Sequence, residues 1–227
     1  VDMPTVLAFD VNETLLDLAE LDPVFDAVLG DAALRPQWFS TMLQLSFVGG
    51  LTGTYVDFTS AQRAALRMTA ARAGRPVSDQ DVDDVVGVMS RLPAHGEVPA
   101  ALQQLRSAGF RLTALTNSVL DVARAQLTHA GLIGLFDAVH SADEVQALKP
   151  AAAPYRMVAE RSGVPIGDVC LVAAHAWDVS GALAAGCHAV FVARSGVVPS
   201  PLGPQPDLVC ADLTEVAAAV PERFRPR

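Results

Sequence analysis

The sequence predicts an α/β protein: a doubly wound, mostly parallel sheet that carries an inserted helical subdomain. Three observations support that expectation. The run Val6 to Phe9 is apolar throughout, short, and ends on a carboxylate, Asp10, as a strand buried on both faces does. From Leu21 to Leu92 no strand pattern occurs, and apolar residues recur at helical spacing instead, as in Trp38, Met42, Leu45 and in Phe58, Ala61, Ala65, Met68. From Val98 onward helical and strand-like stretches alternate in the manner of βαβ units.

The opening strand leads into a polar turn holding Asn12, Glu13 and Thr14. Helices are expected at Asp22 to Leu29, Pro36 to Phe47, Val56 to Ala73 and Asp79 to Arg91, with Gly49, Gly50 and Gly53 breaking the second from the third. Ser78 and Asp81 have capping-box spacing at the start of the fourth. Pro93 to Gly96 reads as a hinge back to the sheet. Helix Val98 to Ala108 stops at Gly109, strand Arg111 to Leu115 follows, and helix Val119 to Ala130 stops at Gly131. A short strand Ala138 to His140 precedes helix Ala152 to Ser162, strand Val169 to Ala173, helix Val179 to Ala185 and strand Ala189 to Val192. After the proline-rich loop Pro199 to Pro206, an edge strand Leu208 to Cys210 and a helix Leu213 to Val220 close the chain. The expected organisation is core at residues 1–17, a helical cap at 18–94, and the rest of a Rossmann-like core at 95–227. A cap over the strand ends excludes water from whatever lies beneath it.

The totals bound the function. A chain of 227 residues buries a substantial core without staples. A formal net charge of -9 argues against nucleic acid or an anionic membrane surface as partner. No apolar run reaches the roughly 20 residues of a membrane helix, and no basic-then-apolar leader opens the sequence, so a cytoplasmic location is expected. Cys170, Cys187 and Cys210 are odd in number, lie in or beside apolar runs and show no metal-binding spacing. Fifteen of the sixteen basic residues are Arg, and Lys149 is the only lysine. A lone lysine suits a place where a compact ammonium fits and a planar guanidinium does not.

Open parallel sheets bind ligands beyond the carboxyl ends of their strands. Those ends carry Asp10; Thr116, Asn117 and Ser118; and His175, Trp177 and Asp178, while Lys149 and Pro150 precede the helix that carries Tyr155. Two carboxylates, one ammonium and several hydroxyl or amide groups therefore converge on one pocket. Taken singly, Thr14 and Thr116 read as turn residues and Lys149 as a solvated charge; their joint placement shifts the balance to catalysis, while Glu13 reads as a solvated or hinge charge. His95, His129, His140 and His188 lack such company and read as surface, loop or strand-end residues.

The order Asp-x-x-x-Thr-Leu, Thr116-Asn117, Lys149-Pro150 and Trp177-Asp178 resembles the haloacid dehalogenase superfamily over nearly the whole chain. FDVNETLLDL, ALKPAAAPY and AHAWDVSGA resemble the L-2-haloacid dehalogenases of type II more than the superfamily phosphatases. The phosphatases carry a second Asp two positions after the nucleophile, where Asn12 stands here, and a pair of acids at the fourth motif, where Asp178 is alone. That leaves too few hard oxygen ligands for Mg²⁺, and no cofactor is expected.

The resemblance implies a short halogenated carboxylate as substrate and Asp10 as the nucleophile that displaces halide, giving an ester that water cleaves. Displacement of halide inverts the substrate carbon, and because the water then attacks the Asp10 carbonyl instead of that carbon, it is inverted only once. Lys149 would keep Asp10 ionised, Thr14, Thr116 and Asn117 would donate to Asp10 or to the substrate, and Asp178 would activate the water. Asn12 and Tyr155 complete the expected polar lining, and the resemblance suggests a homodimer. Typical members place a halide-binding Arg in the cap where this chain has Phe39, beside Trp38, with Arg35 a turn away. The usual Ser-x-Asn of the fourth motif is replaced by Ala173 and His175, and the usual Tyr two places after the nucleophile by Asn12. His175 is accordingly expected to take over part of halide binding, against an apolar wall of Phe39, Trp38, Leu43, Phe58 and Trp177.

Overall fold

Side-chain alternation along the first strand, β1 (Val6–Phe9), sets the architecture. Leu7 and Phe9 enter one apolar core, Val6 and Ala8 the other, so the strand needs a helical layer on each face. The computed structural model describes residues 4–224; the outermost three residues of each core segment expected from the sequence lie outside them.

After β1 the chain leaves the sheet for four helices: α1 (Asp22–Leu29), α2 (Leu34–Thr52), α3 (Phe58–Arg72) and α4 (Asp79–Met89). It returns through α5 (Val98–Ser107), β2 (Arg111–Thr116), α6 (Leu120–His129), β3 (Ala138–Ser141), α7 (Ala152–Ser162), β4 (Val169–Ala173), α8 (Ala176–Ala185), β5 (His188–Val192), β6 (Leu208–Cys210) and α9 (Leu213–Arg223). The strands form one six-stranded parallel sheet in the order β3-β2-β1-β4-β5-β6. Leu102 of α5, Leu127 of α6 and Val216 of α9 cover the Leu7 and Phe9 face, and Val158 of α7 with Ala182 of α8 cover the other. β1 sits between β2 and β4, with Phe9 in register with Ala114 and Val172. The chain order reverses there, which places Asp10 at the switch point of the sheet.

The inserted helices bury their apolar faces in a cluster continuous with the Leu7 and Phe9 face of the sheet. Trp38 is fully buried, packs its ring 5.2 Å from that of Phe25, and donates from Nε1 to the Gln62 carbonyl at 3.0 Å. α4 opens on the expected capping box of Ser78 and Asp81. α2 departs from expectation: it runs through Gly49 and Gly50 and ends only at Gly53, whose φ of 70° makes the left-handed stop. Gly49 serves close packing rather than chain reversal, since a Cβ there would lie 2.7 Å from the Thr54 carbonyl.

Two crossings join the insertion to the sheet and lie side by side. Asp17 N–H donates to the Pro93 carbonyl and His95 N–H to the Leu15 carbonyl, each at 2.9 Å. A third tie lies further out, where the Tyr55 hydroxyl between α2 and α3 donates to Asp143 after β3. Among the described residues no helix is long and apolar enough to cross a membrane, and all three cysteines are free and buried.

Candidate active site

Asp10 follows β1 directly, and its backbone N–H still bonds to the Val172 carbonyl of β4 at 3.1 Å. The sheet thus fixes the side chain before any other contact is made. Its carboxylate is only 6% exposed and accepts from three directions. Lys149 Nζ lies 2.9 Å from Oδ1, while Thr14 Oγ1 at 2.7 Å and His175 Nδ1 at 3.0 Å reach Oδ2. Thr14 in turn accepts from the Ala174 N–H at 2.9 Å, tying the turn after β1 to the end of β4.

Lys149 is fully buried and uses all three of its donors: on Asp10, on Asp178 Oδ2 at 2.5 Å, and on the Leu115 carbonyl at 2.9 Å. Asp178, equally buried, accepts on its other oxygen from the Tyr155 hydroxyl at 2.5 Å. Asn117 holds the lysine by its backbone, accepting from Lys149 N–H at 2.8 Å and donating to Lys149 O at 3.2 Å. α8 comes close enough for Asp178 to join because Gly181 has no side chain. A Cβ there would sit 2.5 Å from Pro150 Cβ and 2.8 Å from the Tyr155 hydroxyl.

His175 forms the other side. Its ring stacks on Phe39 of α2 at 5.5 Å and on Trp177 of α8 at 5.2 Å, and Trp177 meets Phe47 edge to face. Nε2 lies 2.8 Å from Glu13 Oε2, an ion-pair contact whose angle falls outside hydrogen-bond geometry. Glu13 is therefore not the solvated or hinge charge expected: a φ of 65° turns it inward.

The charges follow from these contacts. Burial raises the Asp10 pKa, but Lys149 and His175 outweigh it and hold the carboxyl well below the ordinary range. Burial also opposes the charge on His175, yet the hydrogen bond to Asp10 and the negative charges of Asp10 and Glu13 lift its pKa to about 9. Burial would discharge Lys149, but Asp10 and Asp178 raise its pKa and keep the ammonium. Burial, aided by the Asp10 charge, pushes Asp178 up against the pull of Lys149. The donor set does not fit a divalent cation, because the Lys149 ammonium already stands between the two carboxylates that would hold one.

Three residues expected at the pocket have their polar groups engaged elsewhere. Thr116 Oγ1 accepts from Ser118 N–H in a local turn. Asn12 donates to Ser118 Oγ at 3.4 Å and accepts from Gln126 at 3.0 Å, bracing the turn after β1 against α6. Trp38 is held by Gln62 inside the insertion, while Phe58 and Leu43 are buried in the apolar cluster that also holds Phe39. Arg35, considered as a replacement for the missing guanidinium, pairs with Asp22. Glu13 and Gly181 were missed as site residues; the only signal for either was adjacency to a motif.

Two cavities lie near the site, and Asp10 lines neither. One, of about 460 Å³, lies between the end of α2 and the 146–151 loop and includes Phe47, Tyr55 and Pro150. The other, of about 500 Å³, opens beside Glu13 and includes Asp17, Arg35, His95 and Arg194.

A parallel sheet with a nucleophile-placed aspartate at its switch point, a buried lysine on that aspartate and a helical insertion after the first strand define a class of hydrolase. The chain belongs to the haloacid dehalogenase-like hydrolases, whose family pattern it matches over residues 4–186. Within that class it is similar to an (S)-2-haloacid dehalogenase of Pseudomonas sp. (strain YL), 28% identical over 212 residues, which are 92% of this chain and 91% of the relative. An (S)-2-haloacid dehalogenase of Xanthobacter autotrophicus is 30% identical over 194 residues, 85% of this chain and 76% of the relative. The solved structure of L-2-haloacid dehalogenase from Xanthobacter autotrophicus with chloropropionic acid covalently bound superposes with a TM-score of 0.88 at 26% identity, covering 96% of this chain and 98% of that one.

Proposed function

We propose that this protein hydrolyses the carbon–halogen bond of a short 2-haloalkanoic acid. The product is the 2-hydroxy acid, reached through an ester on Asp10 with inversion at the substrate carbon. The observation that carries this reading is the Asp10 carboxylate itself: ionised, buried, and steadied by Lys149 Nζ at 2.9 Å. Such a carboxylate is a nucleophile held on line, with little solvent to strip away before attack. Residues 18–94 act as the cap over it.

In the first half-reaction an Asp10 oxygen displaces the halide from the carbon beside the substrate carboxylate. Lys149 and the imidazolium of His175 offset the charge of an anionic substrate meeting an anionic nucleophile. His175 also supplies a charged N–H, 3.0 Å from Asp10 Oδ2, on the side of the site where Phe39 replaces the usual guanidinium. In the second half-reaction water attacks the Asp10 carbonyl carbon, and the substrate keeps the oxygen that came from Asp10.

A single turnover of (S)-2-chloropropionate in ¹⁸O water tests this. Halide is expected in solution and label in the Asp10 carboxylate. Label entering lactate first would mean that water attacks the substrate directly and would overturn the ester.

A further inference from the structure

Dehalogenation by water yields one alcohol, one halide and one proton, so a base must take that proton during ester hydrolysis. Asp178, the acid expected for this task, has both oxygens committed to short hydrogen bonds from Lys149 and Tyr155. His175 Nδ1, by contrast, lies 3.0 Å from Asp10 Oδ2. Behind it Glu13 holds an uncommon left-handed backbone, with φ 65°, and its Oε2 lies 2.8 Å from His175 Nε2. Its carbonyl accepts from His95 Nε2 at 3.0 Å, which fixes the turn from the hinge side.

Resting on the dehalogenase reading, we propose that His175 is the base of the ester-hydrolysing step and that Glu13 is the residue that positions it. Before reaction the ring is an imidazolium shared between two carboxylates. Ester formation cancels the charge of Asp10, and the Nδ1 proton passes to water and buffer. The remaining hydrogen stays on Nε2, against Glu13, which leaves the Nδ1 lone pair directed at Asp10. Water then attacks the Asp10 carbonyl carbon and gives one proton to Nδ1. The carbon–oxygen bond to the substrate carbon's oxygen breaks, that oxygen takes the second proton of the water, and the Asp10 carboxylate returns. The balance is one water consumed and one proton released per turnover. The result is the imidazolium–carboxylate pair from which the cycle began.

The surroundings of His175 match this assignment. Asp10 and Glu13 face its two nitrogens, Lys149 and Thr14 share the Asp10 carboxylate, and Asp178 stands behind Lys149. The rings of Phe39 and Trp177 stack on it from α2 and α8. Arg35 and Arg194, which share the cavity beside Glu13, are committed to Asp22 and to Glu97 and the Thr14 carbonyl. Glu13 is thus left to His175.

The experiment compares wild type with Glu13→Gln, which removes the charge, and Glu13→Asn, which suits left-handed backbone and is too short to reach the ring. (S)-2-chloropropionate is mixed with each, and halide, lactate and intact protein mass are followed. In both variants a halide burst close to one per enzyme is expected, with lactate formation at least about tenfold slower and the 1-carboxyethyl ester accumulating on Asp10. A merely structural residue would slow both phases and trap no adduct. Wild-type turnover without adduct in both variants, or equal slowing of both phases, overturns the assignment and leaves the dehalogenase reading standing. A wild type that releases no halide from either 2-chloropropionate enantiomer or from fluoroacetate overturns both.

Discussion

Lys149 and His175 both stand on the Asp10 carboxylate, but they are held in different ways. On the lysine side every group is satisfied: three donors meet three acceptors, Tyr155 closes the last oxygen of Asp178, and Asn117 grips the lysine backbone. The histidine side is looser. Its contact to Glu13 is poorly angled, the buried Trp177 Nε1 has no hydrogen-bond partner, and a cavity opens next to Glu13. A saturated network fixes charge and geometry, whereas a ring between two carboxylates changes protonation when one of them changes. The proposed chemistry asks for both kinds of behaviour: a constant cation for the nucleophile, and a group that carries a charge in one step and accepts a proton in the next.

The largest test of that contrast is Lys149→Met. It leaves two carboxylates buried without their cation, so unfolding in urea should show a loss of about 3–5 kcal/mol. Halide release should fall by about 10²–10³-fold. Unfolding and halide release unchanged from wild type would erase the distinction between the two.

His175→Gln sharpens the other half. In wild type the imidazolium is present below its raised pKa, so the rate of the halide burst should fall as pH rises through about 9. The sign holds for stability too: the favourable pairing is complete below the ordinary histidine pKa of about 6.5 and is lost as pH rises through the folded value. The Gln variant should give a burst with no alkaline limb near 9. An unchanged limb would assign the titration to another group.

The smallest effect is expected away from both sides. Trp38→Phe removes the bond to the Gln62 carbonyl inside the insertion, and thermal or urea unfolding should register about 1 kcal/mol. A much larger loss would mean that the cap interior, not the polar network, dominates the stability of the molecule.

The order of helices and strands was readable because each carries its own period, and Asp10, Lys149, Asp178, Tyr155 and His175 were readable because strand ends of a parallel sheet share one edge. What escaped depended on backbone angles and on side chains committed elsewhere. Glu13 looks like any polar turn residue until its positive φ is known, and Thr116 spends its hydroxyl on its own turn. Gly49 and Gly50 suggested a break in α2, but the close approach of Thr54 decides the matter locally. The stack of Phe39, His175 and Trp177 joins three elements, and no spacing within one of them announces it.

The burial of Lys149 has a practical consequence. It carries the only ε-amino group in the sequence, with no exposed surface. Apart from a chain terminus, amine-directed reagents have nothing to react with on the folded molecule. Acylation of Lys149 therefore times the opening of the structure: the modified fraction, read by mass after brief exposure to reagent, counts the molecules whose central ion pairs have come apart.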